Sequence, residues 1–161
     1  LIEQLEPIKH VTRLRIHTRL PIVIPQRITT SLVNMLSQTR LKATVVLHIN
    51  HPNELDDTVK HALEKLRIAR IPLFNQSVLL KGINDDADVL CQLSEKVFDN
   101  GIQPYYLHMF DPVQAVAHFD VCEKQAKKIV HKMMATLPGF LMPKLVREIA
   151  GEANKTPINL A

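Results

Sequence analysis

The chain reads as an α/β protein, a strand–helix repeat whose strands lie parallel in one sheet. Four apolar runs each end in polar residues: Leu14-Arg15-Ile16-His17, Val45-Val46-Leu47-His48-Ile49-Asn50-His51, Ile71-Pro72-Leu73-Phe74-Asn75-Gln76 and Tyr105-Tyr106-Leu107-His108-Met109-Phe110-Asp111. These ends recur evenly, with 31, 28 and 32 residues from His17 to His48, on to Gln76, and on to His108. One strand, one helix and two short loops occupy roughly 30 residues. Amphipathic segments fill the intervals, and that order favours parallel strands with right-handed crossovers. The carboxyl ends of such strands converge on one face, which is where enzymes of this architecture work. Four strands are too few to close a barrel of about eight, so an open sheet or part of a larger, incomplete barrel is expected.

The elements follow in order. After the first strand, Thr29 or Thr30 can cap a short helix carrying Leu32, Met35 and Leu36. Leu55, Val59, Ala62, Leu63 and Leu66 keep helical spacing, with Asp56, Asp57, Lys60 and Lys65 on other faces. Asn84 or Asp85 can cap a third helix that buries Val89, Leu90, Leu93 and Val97 and stops at Gly101. Asp120 with Glu123 resembles a capping arrangement for a fourth, carrying Ala126, Ile129, Val130 and Met133. The tail from Arg147 to Pro157 is polar and breaks helical periodicity.

Composition narrows the function classes. With 46% hydrophobic and 22% charged residues over 161, the chain can fold as one domain and is not a disordered segment. The net charge of +4 comes from scattered cations, and two Tyr with no Trp give few stacking surfaces, so nucleic acid is not the expected partner. No apolar run approaches the roughly 20 residues of a membrane span. Cys91 and Cys122 lack CxxC spacing and read as reduced, part-buried thiols of a cytoplasmic protein. The start, Leu1-Ile2-Glu3-Gln4-Leu5-Glu6, lacks Met and reads like the end of a helix, as expected of a fragment.

The strand ends admit plain readings as well as chemical ones. His17 with Arg19 can simply cap a strand. His48 and Asn50 share a side by the two-residue period of a strand. His48 and His51 lack a Cys or carboxylate set at zinc spacing, so no metal is assigned, and loop-shaping hydrogen bonds are the commoner use. Asn75-Gln76-Ser77 is polar inside the apolar stretch 73–80, and buried amides require a partner, either a ligand or a neighbouring backbone. Lys155, taken alone, is a solvated surface lysine.

Longer stretches carry a resemblance. Residues 15–29 (Arg15-Ile16-His17-Thr18-Arg19 through Pro25-Gln26-Arg27-Ile28-Thr29), His48-Ile49-Asn50-His51-Pro52-Asn53-Glu54, residues 75–85, Pro104-Tyr105-Tyr106-Leu107-His108, Ala117-His118-Phe119 and residues 151–157 resemble the lysine 2,3-aminomutase family, in family order and through essentially all 161 residues. The resemblance implies the later strands and helices of an incomplete (β/α)6 TIM-like radical S-adenosylmethionine barrel. Residues 1–161 would then be its C-terminal portion, including the pyridoxal phosphate lysine in the tail.

The implied reaction is conversion of L-lysine to β-lysine, using pyridoxal phosphate, S-adenosylmethionine and a [4Fe-4S] cluster. Residue by residue, Lys155 in Asn154-Lys155-Thr156-Pro157 matches the lysine that carries pyridoxal phosphate. Asp111 and Glu148 match carboxylates around the substrate's distal ammonium, Glu148 standing where the family usually has Asp. His48 and Gln76 match positions lining the S-adenosylmethionine pocket. His108 stands near the cofactors, where clostridial members have a tyrosine. The family's CxxxCxxC cluster motif precedes this segment and is absent from the chain. The match is nearer the bacterial branch that makes (R)-β-lysine for elongation factor P, which implies a link to that factor's lysyl-ligase pathway. An aminomutase for another amino acid such as glutamate, and a non-catalytic binding domain, stay open, as does homo-oligomerisation.

Overall fold

The computed structural model describes residues 1–111 and 116–161 as one mixed α/β layer pair. In chain order the elements are α1 (Ile2–Leu5), β1 (Arg13–Thr18), α2 (Leu20–Val23), α3 (Thr30–Gln38), β2 (Lys42–His48), α4 (Asp57–Ile68), β3 (Leu73–Val78), α5 (Ala87–Asp99), β4 (Ile102–His108), α6 (Glu123–Thr136), β5 (Lys144–Arg147) and β6 (Thr156–Pro157). The strands lie in sequence order, parallel from β1 to β5, and β6 returns antiparallel against β5. The four expected strands are all present. The two further strands come from the tail, where only Leu145 and Val146 give an apolar signal and the run is too short for periodicity to register.

One sheet face is the core. Leu14 and Ile16 of β1, Val45 and Leu47 of β2, Leu73 of β3 and Ile102 and Leu107 of β4 pack against Leu36, Leu63, Leu66, Leu90, Val97 and Met133 of the helices. Alternation then sends Arg15, His17, His48, Phe74, Gln76 and Val78 to the opposite face. That division lets one sequence build a dry core and a polar wall from the same strands.

The boundaries differ from expectation in instructive ways. β2 ends at His48, so Asn50 and His51 lie in the following loop. Asn75, Gln76 and Ser77 lie inside β3 rather than at its end. Asn75 is tolerated there because its Oδ1 accepts from Ile49 N at 2.9 Å and its Nδ2 donates to Ile49 O at 3.0 Å. Backbone, not ligand, partners this amide.

Caps divide similarly. Thr29 accepts from Leu32 N and Asp56 from Val59 N, starting α3 and α4. For α5 the cap is Asp86, accepting from Asp88 and Val89 N, whereas Asn84 and Asp85 serve the preceding turn. Asp120 does not cap α6; the N-cap is Cys122, without a side-chain bond. Gly101 ends α5 with φ +74, a conformation that favours glycine, and a Cβ there would displace the flexible Arg67 side chain, whose Cδ stands 2.6 Å away. Cys91 is buried, but Cys122 is exposed and not part-buried. Among the described residues no helix is long and apolar enough to cross a membrane.

Two irregularities aim the carboxyl ends. In β4 the register slips by one residue against β3, from Asn75↔Pro104 to Gln76↔Tyr106. Pro104 has no N–H for the ladder, and the extra residue turns Tyr105 and Tyr106 toward one side. Their rings lie 3.9 Å apart, and Tyr105 also meets Phe74 at 5.4 Å. Beyond β3, Asn84 is 1% exposed and joins three segments. Its Nδ2 donates to Asn50 O at 2.7 Å and Val78 O at 2.9 Å, while its Oδ1 accepts from Leu80 N at 2.7 Å.

Removing the Asn84 amide leaves these backbone groups without their partner. Asn84→Ala is therefore expected to destabilise the fold by about 1–3 kcal/mol. Urea unfolding measures it; an unchanged midpoint would show that the amide does not hold these segments together.

Candidate active site at the carboxyl ends of the strands

The polar wall converges at the carboxyl ends of β1 to β4. His48 closes β2, and its Nε2 lies 3.2 Å from Gln76 Nε2 on β3. The amide N–H donates only if the imidazole nitrogen is bare, so this contact requires the His48 tautomer protonated at Nδ1. Asn50 Oδ1 accepts from Val78 N at 2.9 Å and ties the β2 loop to the end of β3. Arg19 crosses from the end of β1 and donates to His48 O at 3.0 Å.

His51 takes the commoner of its two readings. Its Nδ1 accepts from Asn53 N at 3.1 Å, and Glu54 Oε1 accepts from Asn50 and His51 N, which shapes the loop before α4. Among the described residues no three His, Cys, Asp or Glu side chains stand together as a metal site.

From the other side come His108, at the end of β4, and the tail. Lys155 lies seven residues beyond Glu148 in sequence, yet the pairing of β5 with β6 folds the tail back so that Lys155 Nζ donates to Glu148 Oε1. His108 Nδ1 is 3.8 Å from the same oxygen. Lys155 Nζ also lies 5.7 Å from the centre of the Tyr106 ring. An open cavity of about 290 Å³ joins His48, Gln76, His108, Asp111 and Glu148.

All six residues singled out from the sequence are therefore near one another, five around a single cavity and Lys155 bonded to one of the five. Asp111 is exposed, and the Glu148 side chain is 53% exposed, so the expectation of two carboxylates around a buried cation does not describe this chain by itself.

His17, open in the sequence to reading as a strand cap or as one more polar strand end, is part of the wall in the structure. Its ring meets His48 edge to face at 6.1 Å. The signal was available, since His17 holds the same strand-end place as His48 and His108. In the sequence Tyr106 is simply part of a strand, and the β4 bulge turns it toward Lys155.

Burial and neighbouring positive charge keep the imidazoles neutral. Burial pushes His108 down to about 4; the Lys155 ammonium adds to the shift and Glu148 opposes it. The His108–Glu148 contact is therefore between a neutral ring and a carboxylate at neutral pH, not an ion pair. His48 is lowered by burial, then by Arg19 and Lys155; His17 by burial, then by Arg15, His48 and Lys155. Glu148 is held below its usual range by the Lys155 hydrogen bond first and by its charge second.

Two buried atoms, Gln76 Oε1 and His108 Nε2, have no hydrogen-bond partner among the described residues. Polar atoms left without a protein partner beside a cavity are open to water or to a polar ligand. A primary amine at Lys155, 25% exposed beside that cavity, fits covalent attachment of an aldehyde cofactor. The chain has two cysteines, on α5 and before α6, so it does not fit as the holder of a cluster needing three thiolates.

The fold is similar to part of a radical S-adenosylmethionine methyltransferase from Sphaerobacter thermophilus, with a TM-score of 0.51 at 11% identity over 74% of this chain and 38% of that one. A Streptococcus suis SuiB structure bound to S-adenosylmethionine superposes with a TM-score of 0.60 at 13% identity, over 94% of this chain and 36% of that one. A domain of a pyruvate-formate lyase-activating enzyme from Bacteroides vulgatus gives 0.59 at 9% identity, over 92% and 89%. No family model matches the chain.

Sequence is more specific. Relatives named L-lysine 2,3-aminomutase match at 54% identity over 156 residues in Haemophilus influenzae and 51% over 160 in Escherichia coli, covering 97% and 99% of this chain. The relative from Clostridium subterminale matches at 36% over 158 residues, 98% of this chain and 38% of its own length. Over nearly its whole length the chain is similar to these L-lysine 2,3-aminomutases. It spans about half the length of the first two relatives, 46% and 47%.

The lowered His108 has a pH consequence. Its folded value, about 4, lies below 6.5, so the unfolded chain takes up the proton first. The resulting stability is full above 6.5 and lost as pH falls toward 4. Unfolding free energy followed from pH 7.5 to 4.5 should fall less steeply for His108→Gln than for the parent chain, and equal slopes would refute a neutral buried His108.

Proposed function

We propose that residues 1–161 are the C-terminal portion of a radical S-adenosylmethionine, pyridoxal phosphate-dependent aminomutase that converts L-lysine to β-lysine. The N-terminal portion of the barrel, with the thiolates for a [4Fe-4S] cluster, would lie outside this chain. The observation that carries the reading is 51–54% identity, over nearly the whole chain, to relatives named for this activity. Gly151-Glu152-Ala153-Asn154, standing where the clostridial enzymes have a glycine run, supports the (R)-β-lysine-forming branch and a role in supplying elongation factor P, with cytoplasmic location and the lysyl-ligase pathway as corollaries.

In this reading Lys155 is the attachment point for pyridoxal phosphate. When bound, the cofactors supply a carbonyl carbon able to carry a migrating nitrogen and, from S-adenosylmethionine and the reduced cluster, a radical able to remove hydrogen. The chain's own residues position and shield. His48 and Gln76 offer neutral donors and acceptors to S-adenosylmethionine, and their neutrality avoids repelling a sulfonium. Asp111 and Glu148 hold the distal ammonium of L-lysine, which fixes the distance from that end of the substrate to the reacting carbons. Glu148 holds the Lys155 ammonium whenever that amine is free.

The first test is the lysine. In the full-length enzyme, Lys155→Ala should abolish the visible absorbance of bound pyridoxal phosphate, the borohydride-reducible link and turnover, while leaving cluster absorbance intact. A reduced adduct that maps to Lys144 or another lysine would sink the assignment.

The second is the carboxylate. A hydrogen bond to a charged group contributes about 1.5–3 kcal/mol, so Asp111→Asn should lower kcat/KM for lysine by about 10- to 100-fold. Cofactor absorbance should stay unchanged, since Lys155 is untouched. Near-normal lysine kinetics would remove the ammonium-clamp role from Asp111.

A further inference from the structure

We propose that His108 is a third ligand of the substrate's distal ammonium, accepting one of its N–H groups through Nε2 while Asp111 and Glu148 accept the others. The inference rests on the ammonium-clamp reading above and adds to it a neutral residue that decides specificity.

The stoichiometry of donors leads to it. A primary ammonium carries three N–H donors and no acceptor. Two carboxylates satisfy two of them and already bring one more negative charge than the cation offsets. A third carboxylate would worsen that imbalance, and a cationic imidazole would repel the ligand. A neutral imidazole lone pair meets the remaining donor at no cost in charge.

The geometry supplies that lone pair. His108 is 7% exposed, and its ring lines the cavity shared with Asp111 and Glu148. Glu148 Oε1, 3.8 Å from Nδ1, favours the ring proton on that nitrogen, which leaves Nε2 as the acceptor. Nε2 is buried and has no partner among the described residues. Burial and the Lys155 ammonium keep the ring neutral. The chain also shows that Glu148 receives an ammonium in this place, because Lys155 Nζ sits on it. With Lys155 committed elsewhere, the same oxygen is free for a ligand ammonium, and the His108 ring beside it supplies the next acceptor.

The test uses the full-length holoenzyme and two probes, L-lysine and L-norleucine, which keeps the carbon chain, lacks the distal ammonium and ends in a methyl group. Calorimetry measures the affinity ratio of the two. His108→Phe should reduce that ratio by about 10- to 100-fold, and His108→Gln, which keeps an acceptor, should restore most of it. In the unmutated enzyme, the 15N resonance of His108 Nε2 should shift on adding L-lysine and not on adding L-norleucine. A parental ratio in His108→Phe, or an Nε2 resonance that ignores L-lysine, overturns the proposal. If Asp111→Asn collapses the ratio in the same experiment, the clamp itself stands and only the third ligand falls. If Asp111→Asn also leaves the ratio unchanged, the clamp reading fails with it.

Discussion

Parallel strands end with backbone groups that no ladder continues to satisfy, and in this chain three asparagines answer that constraint. Asn75 closes on both backbone atoms of Ile49, Asn50 receives the N–H of Val78, and Asn84 spans Asn50 O, Val78 O and Leu80 N. The bonds of Asn75 to Ile49, of Asn50 to Val78 and of Asn84 to Asn50 cross between the loop after β2 and β3 or the turn beyond it. Left unmade, these buried groups would cost more than the bonds contribute when formed. The arrangement brings His48 and Gln76 within 3.2 Å of each other. The functional wall is thus a consequence of how two strands are terminated.

β4 depends on a different device. Pro104 interrupts the ladder, and the one-residue slip beside it changes which face the following residues occupy. Without the slip, Tyr106 would share the face of Pro104 and point into the core. With it, Tyr106 reaches toward Lys155 and its ring stands 5.8 Å from His108. A bulge next to a site is a common way to re-aim side chains.

Glu148 joins the strand ends to the tail. Its carboxylate accepts from Lys155 and lies 3.8 Å from the His108 ring, and it opposes the forces that keep His108 neutral without overcoming them. Because burial dominates at His108 and a direct hydrogen bond dominates at Glu148, the two neighbouring groups hold opposite protonation states at neutral pH: a bare ring and a charged carboxylate. Around the cavity, neutral His48, Gln76 and His108 stand beside charged Asp111 and Glu148, which gives it two chemically distinct sides.

By itself the sequence determined the α/β class, the four main strands and the face on which polar residues gather, because period two, helical spacing and a repeat near 30 residues are local properties of the chain. Resemblance added Lys155, Glu148 and Asp111, which composition reads only as surface charge. Tertiary structure alone decided the rest. Lys155 and Glu148 are paired by a two-residue antiparallel return that no periodicity reveals. His17 belongs to the wall because β1 lies beside β2, a neighbour relation that strand spacing does not encode. Asn84 closes a turn instead of capping a helix because Asp86 is nearer the α5 amides, while Asn50 and Val78 offer Asn84 two carbonyls from distant segments. Side-chain chemistry is written in the chain, but which groups meet depends on strand neighbours and register.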